Sequence, residues 1–205
     1  MSLTIDNKNS KTTLGLQLKT DPRWADLASI SLEEILTDHA YCEQKAATSG
    51  ITMIQAYPDK TLMVKELAPL VTEEWGHFRL VLAEMDKRGF ALGPQRKDEY
   101  VNALMKFQIQ GGSREDRLLD KLLTFALIEA RSCERFRLLS LHLEDEHLKQ
   151  FYHKFMVSEA GHYRMFLDLS IHYFGEKMAM SRWQQFLDFE ENLMETIEPR
   201  GDRMH

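Results

Sequence analysis

Two short motifs in this chain can do chemistry: Glu74-Trp75-Gly76-His77 and Glu159-Ala160-Gly161-His162, each a glutamate followed three residues later by a histidine. On an α-helix such residues share a face about one turn apart, so the carboxylate and imidazole of each pair can bind one metal site. A single pair says little, because chance supplies roughly one in a chain of this composition. A third pair, Glu144 with His147, is indeed present. Their surroundings separate them. Leu70, Val71, Phe78 and Val81 flank the first pair at helical spacing, and Tyr152, Phe155, Met156, Tyr163 and Phe166 flank the second, so both face a core. Glu144 stands beside Asp145 and Glu146 and reads as a solvated helix start.

Carboxylates on core faces require cations, hydrogen bonds or protonation. Two more are available. Glu43 shares a face with Leu36, His39, Ala46, Ala47 and Ile54, and Glu129 with Leu122, Phe125, Ala126, Cys133 and Phe136. Glu34 points to the opposite side of its helix, and Glu134 lies roughly 7 Å beyond Glu129 along the same one. The expected ligand set is therefore Glu43, Glu74, His77, Glu129, Glu159 and His162. Four carboxylates balance two divalent ions, and oxygen donors with two imidazoles suit iron or manganese better than thiolate-seeking metals. Without metal the same six would form buried ion pairs. Cys133, one turn from Glu129, and His39, one turn from Glu43, read either as supports for the site or as a core thiol and a hydrogen-bonded core histidine.

The elements that must position these residues are helical throughout, since apolar residues recur at intervals of three and four and no strand pattern is found. The first long helix is expected from about residue 31 to before Pro58, with Gly50 placed to bend it. The second runs from about 60 to 88, is closed by Gly89, and is kinked or split near Pro69. A shorter helix covers about 95–108. Ser113 and Asp116 form an acidic capping box that opens the third long helix, which reaches about His142. Glu144-Asp145-Glu146 suits the start of a fourth, ending before Gly175, and a last helix covers about 176–197. The long helices read as two hairpins. Residues equally far from an antiparallel turn meet, which brings Glu43 to Glu74 and Glu129 to Glu159 at one level. The expected fold is all-α, a four-helix bundle with extra shorter helices. It forms one domain over 1–205, with a polar tail over 1–20 and a second tail over 198–205.

Composition agrees: 43% hydrophobic and 28% charged residues in 205 make an ordinary domain with a sizeable core. A net charge of −6 argues against strong nonspecific attraction to nucleic acid, while leaving room for a local basic face. Cys42 and Cys133 are far apart and form no CxxC pair, so reduced thiols are expected. No apolar run approaches the ~20 residues of a membrane span and the opening stretch lacks a secretory core, so a cytoplasmic protein is expected. No CxxCH, Walker or GxGxxG signature of haem, nucleotide or flavin is present.

Four stretches carry a family resemblance: His39-Ala40-Tyr41-Cys42-Glu43-Gln44-Lys45-Ala46-Ala47, then Glu74-Trp75-Gly76-His77-Phe78, then 126–136 (ALIEARSCERF), then Ser158-Glu159-Ala160-Gly161-His162-Tyr163. Over roughly residues 24–174 the chain resembles the MiaE family of tRNA 2-methylthio-N6-isopentenyladenosine hydroxylases, and 126–136 is the most family-specific part. The resemblance implies a ferritin-like fold and a centre of two iron ions, ligated or bridged by Glu43, Glu74, Glu129 and Glu159 with His77 and His162 as terminal ligands. It implies insertion of one oxygen atom from dioxygen into the isopentenyl arm of the modified adenosine beside the anticodon. An external reductant is then needed, delivered by an electron-donor protein of ferredoxin or flavodoxin type. A tRNA partner should attract cations. Arg88, Arg96, Lys97, Arg114 and Arg117, with Lys106 and Lys121, are the candidates, against a reading as solvated helix faces mixed with Asp98, Glu99, Glu115 and Asp116. Other readings are a ferritin-like iron oxidase or storage protein, a di-iron oxygenase acting on another substrate, and a non-catalytic helical interaction protein.

Overall fold

A computed structural model describes residues 14–205. Among them are seven helices and no strand: α1 Arg23–Ile30, α2 Leu32–Ala56, α3 Thr61–Lys87, α4 Glu99–Phe107, α5 Arg114–His142, α6 Glu146–Phe174 and α7 Glu176–Thr196. Their starts follow local chemistry. Ser113 Oγ accepts from Asp116 N at 3.0 Å while Asp116 Oδ2 accepts from Ser113 N at 2.9 Å, which is the expected box opening α5. Asp145 Oδ1 accepts from His147 N and Leu148 N at the head of α6, and Asp98 Oδ1 accepts from Val101 N at the head of α4.

The differences from expectation are local. α1 was not expected; it is one short helix that buries Trp24, Ala25 and Ala28, too few positions to establish a period. α4 begins at Glu99 rather than near 95, because Asp98 in extended geometry caps it. α3 continues through Pro69 without splitting. Gly50 does not interrupt α2; it lets α2 approach α3, since a Cβ there would lie 2.7 Å from Val71 Cγ2. Parts of both expected tails pack against the bundle. Residues 1–13 lie outside the described residues, but Leu16 and Thr20 are buried, and so are Met204 and His205.

α2 with α3 and α5 with α6 form the two hairpins, which meet through α3 and α6. On the other side the bundle is open: no Cα pair of α2 and α5 lies within 8 Å. Close-packed helix axes are about 8–10 Å apart, so the α2/α5 gap must be filled by something else. α4 and the 198–205 segment fill it, lending Asp98, Val101, Met105 and His205 to the space between. The apolar core correspondingly falls into two clusters. One holds Trp24, Leu36, Val81, Phe136 and Tyr152, the other Met53, Leu67, Leu122, Phe166 and Trp183. Arg131, fully buried on α5, ties the rim of this arrangement together: Nε donates to Glu190 of α7 at 2.8 Å, Nη1 to Thr20 Oγ1 and Nη2 to the Leu18 carbonyl, both at 3.0 Å. Tyr100 of α4 donates to the same Glu190 at 3.2 Å.

Candidate metal centre

Glu43, Glu74, Glu129, Glu159 and His162 are buried and His77 nearly so, each projecting from the middle of a long helix. The structure brings all six expected ligands together. Their donor atoms fall into two groups, each within 4.8 Å: Glu43, Glu74, His77 and Glu159, and Glu74, Glu129, Glu159 and His162. Glu74 and Glu159, the glutamates of the two ExxH pairs, belong to both. Glu134 lies elsewhere, accepting from Thr20 N at 3.1 Å and Thr20 Oγ1 at 2.7 Å. Glu144 is exposed, and His147 reaches Glu84 at 2.8 Å, so the third ExxH pair is surface.

Both imidazoles present Nδ1 to the carboxylates. His162 Nδ1 lies 2.8 Å from Glu74 Oε1 and 3.0 Å from Glu159 Oε2, and His77 Nδ1 lies 3.3 Å from Glu43 Oε2. The far nitrogens share one partner that sequence reasoning missed. Glu73 lies 3.8 Å from His77 Nε2 and 3.4 Å from His162 Nε2, and accepts from Ser158 Oγ at 2.6 Å. Its position, beside Glu74 and four residues before His77, was the available signal. His39 is wholly buried among Phe136, Tyr152 and Phe155, with Nε2 2.8 Å from Glu43 Oε1. Burial, reinforced by His77, holds its pKa well below the usual value, so the neutral ring donates from Nε2 and fixes the Glu43 carboxylate. Cys133 turns away; its thiol donates to the Met156 carbonyl at 3.2 Å.

The electrostatics describe a site that requires positive charge. Burial, then the charges of Glu74 and Glu159, push Glu43 well above the carboxylate range; burial, then Glu159 and Glu74, do the same to Glu129. Burial also works against ionised Glu74, but the close approach of the His162 and His77 imidazoles holds it below the usual range. His162 is opposed by burial yet pushed up to about 12 by hydrogen bonds to Glu159 and Glu74, and His77 is raised in the same way, first by Glu74. Protons thus stand in where cations would serve. Glu74 Oε1, His77 Nδ1 and Glu159 Oε1 are buried without a well-formed hydrogen bond, which is unusual in a folded protein and fits donors aimed at metal. The two groups fit a di-iron centre.

Beside the carboxylates lies a cavity of about 210 Å³. Glu43, Glu74, Glu129 and Glu159 form its metal side, Val101, Met105, Phe125 and Ile128 its apolar side, and Asp98, Ser132 and His205 its end.

The family model described as tRNA-(MS[2]IO[6]A)-hydroxylase (MiaE) matches residues 8–205. This chain belongs to the MiaE family. A tRNA 2-(methylsulfanyl)-N(6)-isopentenyladenosine(37) hydroxylase of Pseudomonas putida (strain KT2440) is 36% identical to it, covering 80% of this chain and 78% of that protein. The protein of the same name from Salmonella typhimurium (strain LT2) is 28% identical over 73% of this chain and 76% of its own length. Among solved structures, a Synechococcus protein described as having aldehyde deformylating oxygenase activity superposes with a TM-score of 0.87 at 33% identity, covering 93% of this chain and 94% of that one. The ferritin-like reading of the bundle therefore holds, and MiaE membership makes the chain an enzyme of a tRNA hydroxylase family. No helix among the described residues is long and apolar enough to cross a membrane.

The five basic residues expected at a tRNA surface are not brought together. Arg88, at the end of α3, is paired with Glu84 and Asp145. Arg114, at the start of α5, is paired with Asp59 beside the α2–α3 turn, and Arg117 donates to the Gly112 carbonyl. Arg88 and Arg114 thus lie about 20 Å from the carboxylate layer toward opposite ends of the bundle. Arg96 pairs with Asp202, and Lys97 lines a cleft of about 900 Å³ outside the 198–205 segment.

Proposed function

We propose that this chain hydroxylates the isopentenyl arm of 2-methylthio-N6-isopentenyladenosine beside the anticodon of tRNA, using two iron ions held by Glu43, Glu74, His77, Glu129, Glu159 and His162. The observation that carries the reading is the sharing of Glu74 and Glu159 between two four-ligand groups in a MiaE-family chain. Glu43, Glu74, His77 and Glu159 would hold one ion, and Glu74, Glu129, Glu159 and His162 would hold the other. When bound, iron supplies the dioxygen activation needed to break a C–H bond that acid, base and nucleophilic side chains cannot. The rest falls to the protein. Glu73, 3.8 Å from His77 Nε2 and 3.4 Å from His162 Nε2, places a negative charge behind both imidazoles, whose Nδ1 atoms face inward, and His39 holds Glu43. Val101, Phe125 and Ile128 receive the hydrocarbon arm and exclude water.

Size supports the same division. A cavity of about 210 Å³ is below the roughly 300 Å³ at which pockets for whole ligands begin, so the arm enters and the base stays at the mouth, near half-buried Lys45 and exposed Met105. Oxygen balance requires two electrons and two protons per dioxygen, giving the alcohol and water. The electrons come from a separate ferredoxin- or flavodoxin-type donor. The tRNA substrate implies a cytoplasmic enzyme. Of the basic candidates, Lys97 lines the outer cleft and is assigned to phosphate contact, with Arg96 beside it in sequence and paired with Asp202; Arg88, Arg114 and Arg117 are assigned to the bundle ends.

The test is direct. Iron-loaded protein given a reducing system, dioxygen and an isopentenylated anticodon stem-loop should add one oxygen to the modified adenosine by nucleoside mass spectrometry, and Glu129→Ala should abolish this. Iron binding without product on intact tRNA would keep the metal centre and remove the substrate. A second reading rests on the Synechococcus structure: with an alkyl aldehyde in place of RNA, release of formate would favour it. Gel filtration separates both from a ferritin-type storage protein, which would elute as a very large shell.

A further inference from the structure

The chain is anchored into the fold from Gly201 to His205. The Gly201 backbone lies against α1 so closely that a Cβ would sit 2.2 Å from the Leu27 carbonyl oxygen. The Arg203 carbonyl accepts from Trp24 Nε1 at 3.1 Å and Arg135 Nη1 at 3.2 Å, and Met204 N donates to Asp38 Oδ2 at 2.8 Å. This anchoring delivers His205 between α4 and α5, where its ring stacks on Tyr100 at 5.3 Å and 16°. Nδ1 lies 3.3 Å from Asp98 Oδ2, and Nε2 lies 2.9 Å from Ser132 Oγ. His205 lines both the 210 Å³ cavity beside the carboxylates and the cleft of about 900 Å³ that also holds Lys19, Tyr100, Lys97 and Arg200.

We propose that His205 is a specificity-determining wall: its clamped ring separates the side-chain cavity from the outer cleft and so limits how long a hydrocarbon arm the enzyme accepts. The proposal rests on the function given above. Both ring nitrogens are engaged, so His205 offers a ligand neither donor nor acceptor, and it acts by shape. A metal role is disfavoured by the same bookkeeping. Cys42, Asp98 and His205 do place donor atoms within 4.8 Å, but no nitrogen or oxygen of this trio is left unpaired, in contrast to the carboxylate layer. Removing the ring joins the two spaces. It also further exposes Cys42, which is partly buried in the wild type and whose sulfur lies 4.0 Å from Nδ1.

The test compares His205→Ala, which opens the wall, with His205→Phe, which keeps a ring and loses both polar contacts. In metal-free full-length protein, alkylation of Cys42 by iodoacetamide, followed by peptide mass spectrometry, should rise about tenfold for Ala and stay near wild type for Phe. Iron-loaded His205→Ala should hydroxylate a stem-loop bearing the longer N6-geranyl arm, which wild type and His205→Phe reject. Melting temperature and iron content identify folded protein, and if the Ala variant does not accumulate, His205→Val makes the same comparison. Wild-type behaviour of His205→Ala, or of His205→Val in its place, in both assays would overturn the wall. So would a Phe variant that behaves like Ala, since hydrogen bonding rather than shape would then be at work. Failure of wild type to hydroxylate any RNA strikes the proposed function, while the Cys42 result still decides the wall.

Discussion

Glu129 and Glu134 stand five positions apart on α5 with the same side chain, and the structure gives them opposite work. Glu129 belongs to the ligand group with Glu74, Glu159 and His162. Glu134 receives Thr20 and pairs with buried Arg131. Glu134→Gln keeps the shape but removes the charge from contacts to a guanidinium, a loss of about 1.5–3 kcal/mol. At about 2–4 °C per kcal/mol for a domain of this size, metal-free protein should melt about 3–12 °C lower. Its stabilisation by ferrous ion should be unchanged. Glu129→Gln removes an anionic ligand instead. A tenfold loss of affinity lowers the metal's contribution by about 1.4 kcal/mol, or about 3–6 °C of the metal-induced rise, without a comparable drop in the metal-free protein. Calorimetry under anaerobic conditions with and without ferrous ion, together with iron stoichiometry, reads both effects. A Glu134→Gln protein that loses iron, or a Glu129→Gln protein that keeps the full metal-induced rise, would refute the assignment.

Glu73→Gln should leave the six ligands in place but weaken metal binding about 10–100-fold, measured by competition with a chelator, because both imidazoles lose their charged Nε2 partner. Arg131→Met should cost about 3–5 kcal/mol in urea denaturation, since it strands Glu190, which is fully buried and otherwise meets only the Tyr100 hydroxyl; the metal-induced shift should persist. Asp98 gives the pH dependence. Burial opposes its ionised form, but His205 and the Val101 amide hold its pKa at about 2. The folded value is below the unfolded value of about 3.9, so this stabilisation is complete above about pH 4 and is lost as pH falls toward 2. The stability gap between wild type and Asp98→Asn should be about 2–3 kcal/mol at pH 7 and close across that window; a pH-independent gap in urea titrations at pH 7 and pH 3 would count against it.

The sequence by itself determined the four long helices, the capping box at Ser113, and the convergence of the six carboxylate and imidazole residues at a common level. These depend on periodicity and on distance from a turn, which a linear pattern carries. It also separated Glu129 from Glu134, because a helix converts five residues into a fixed rise. Glu73 was less legible: it is half exposed, and only the convergence of α3 and α6 shows that it meets two imidazoles at once. The short α1 left no period to detect. The basic residues clustered in sequence around the connection between the hairpins, yet helices about 40 Å long carried them to opposite ends. Most of all, the last residues read as a tail. Tertiary structure made them a wall, because α2 and α5 stand too far apart to close the bundle themselves, and burial of Met204 and His205 comes from contacts with Asp38, Asp98, Tyr100 and Ser132 that no local pattern encodes.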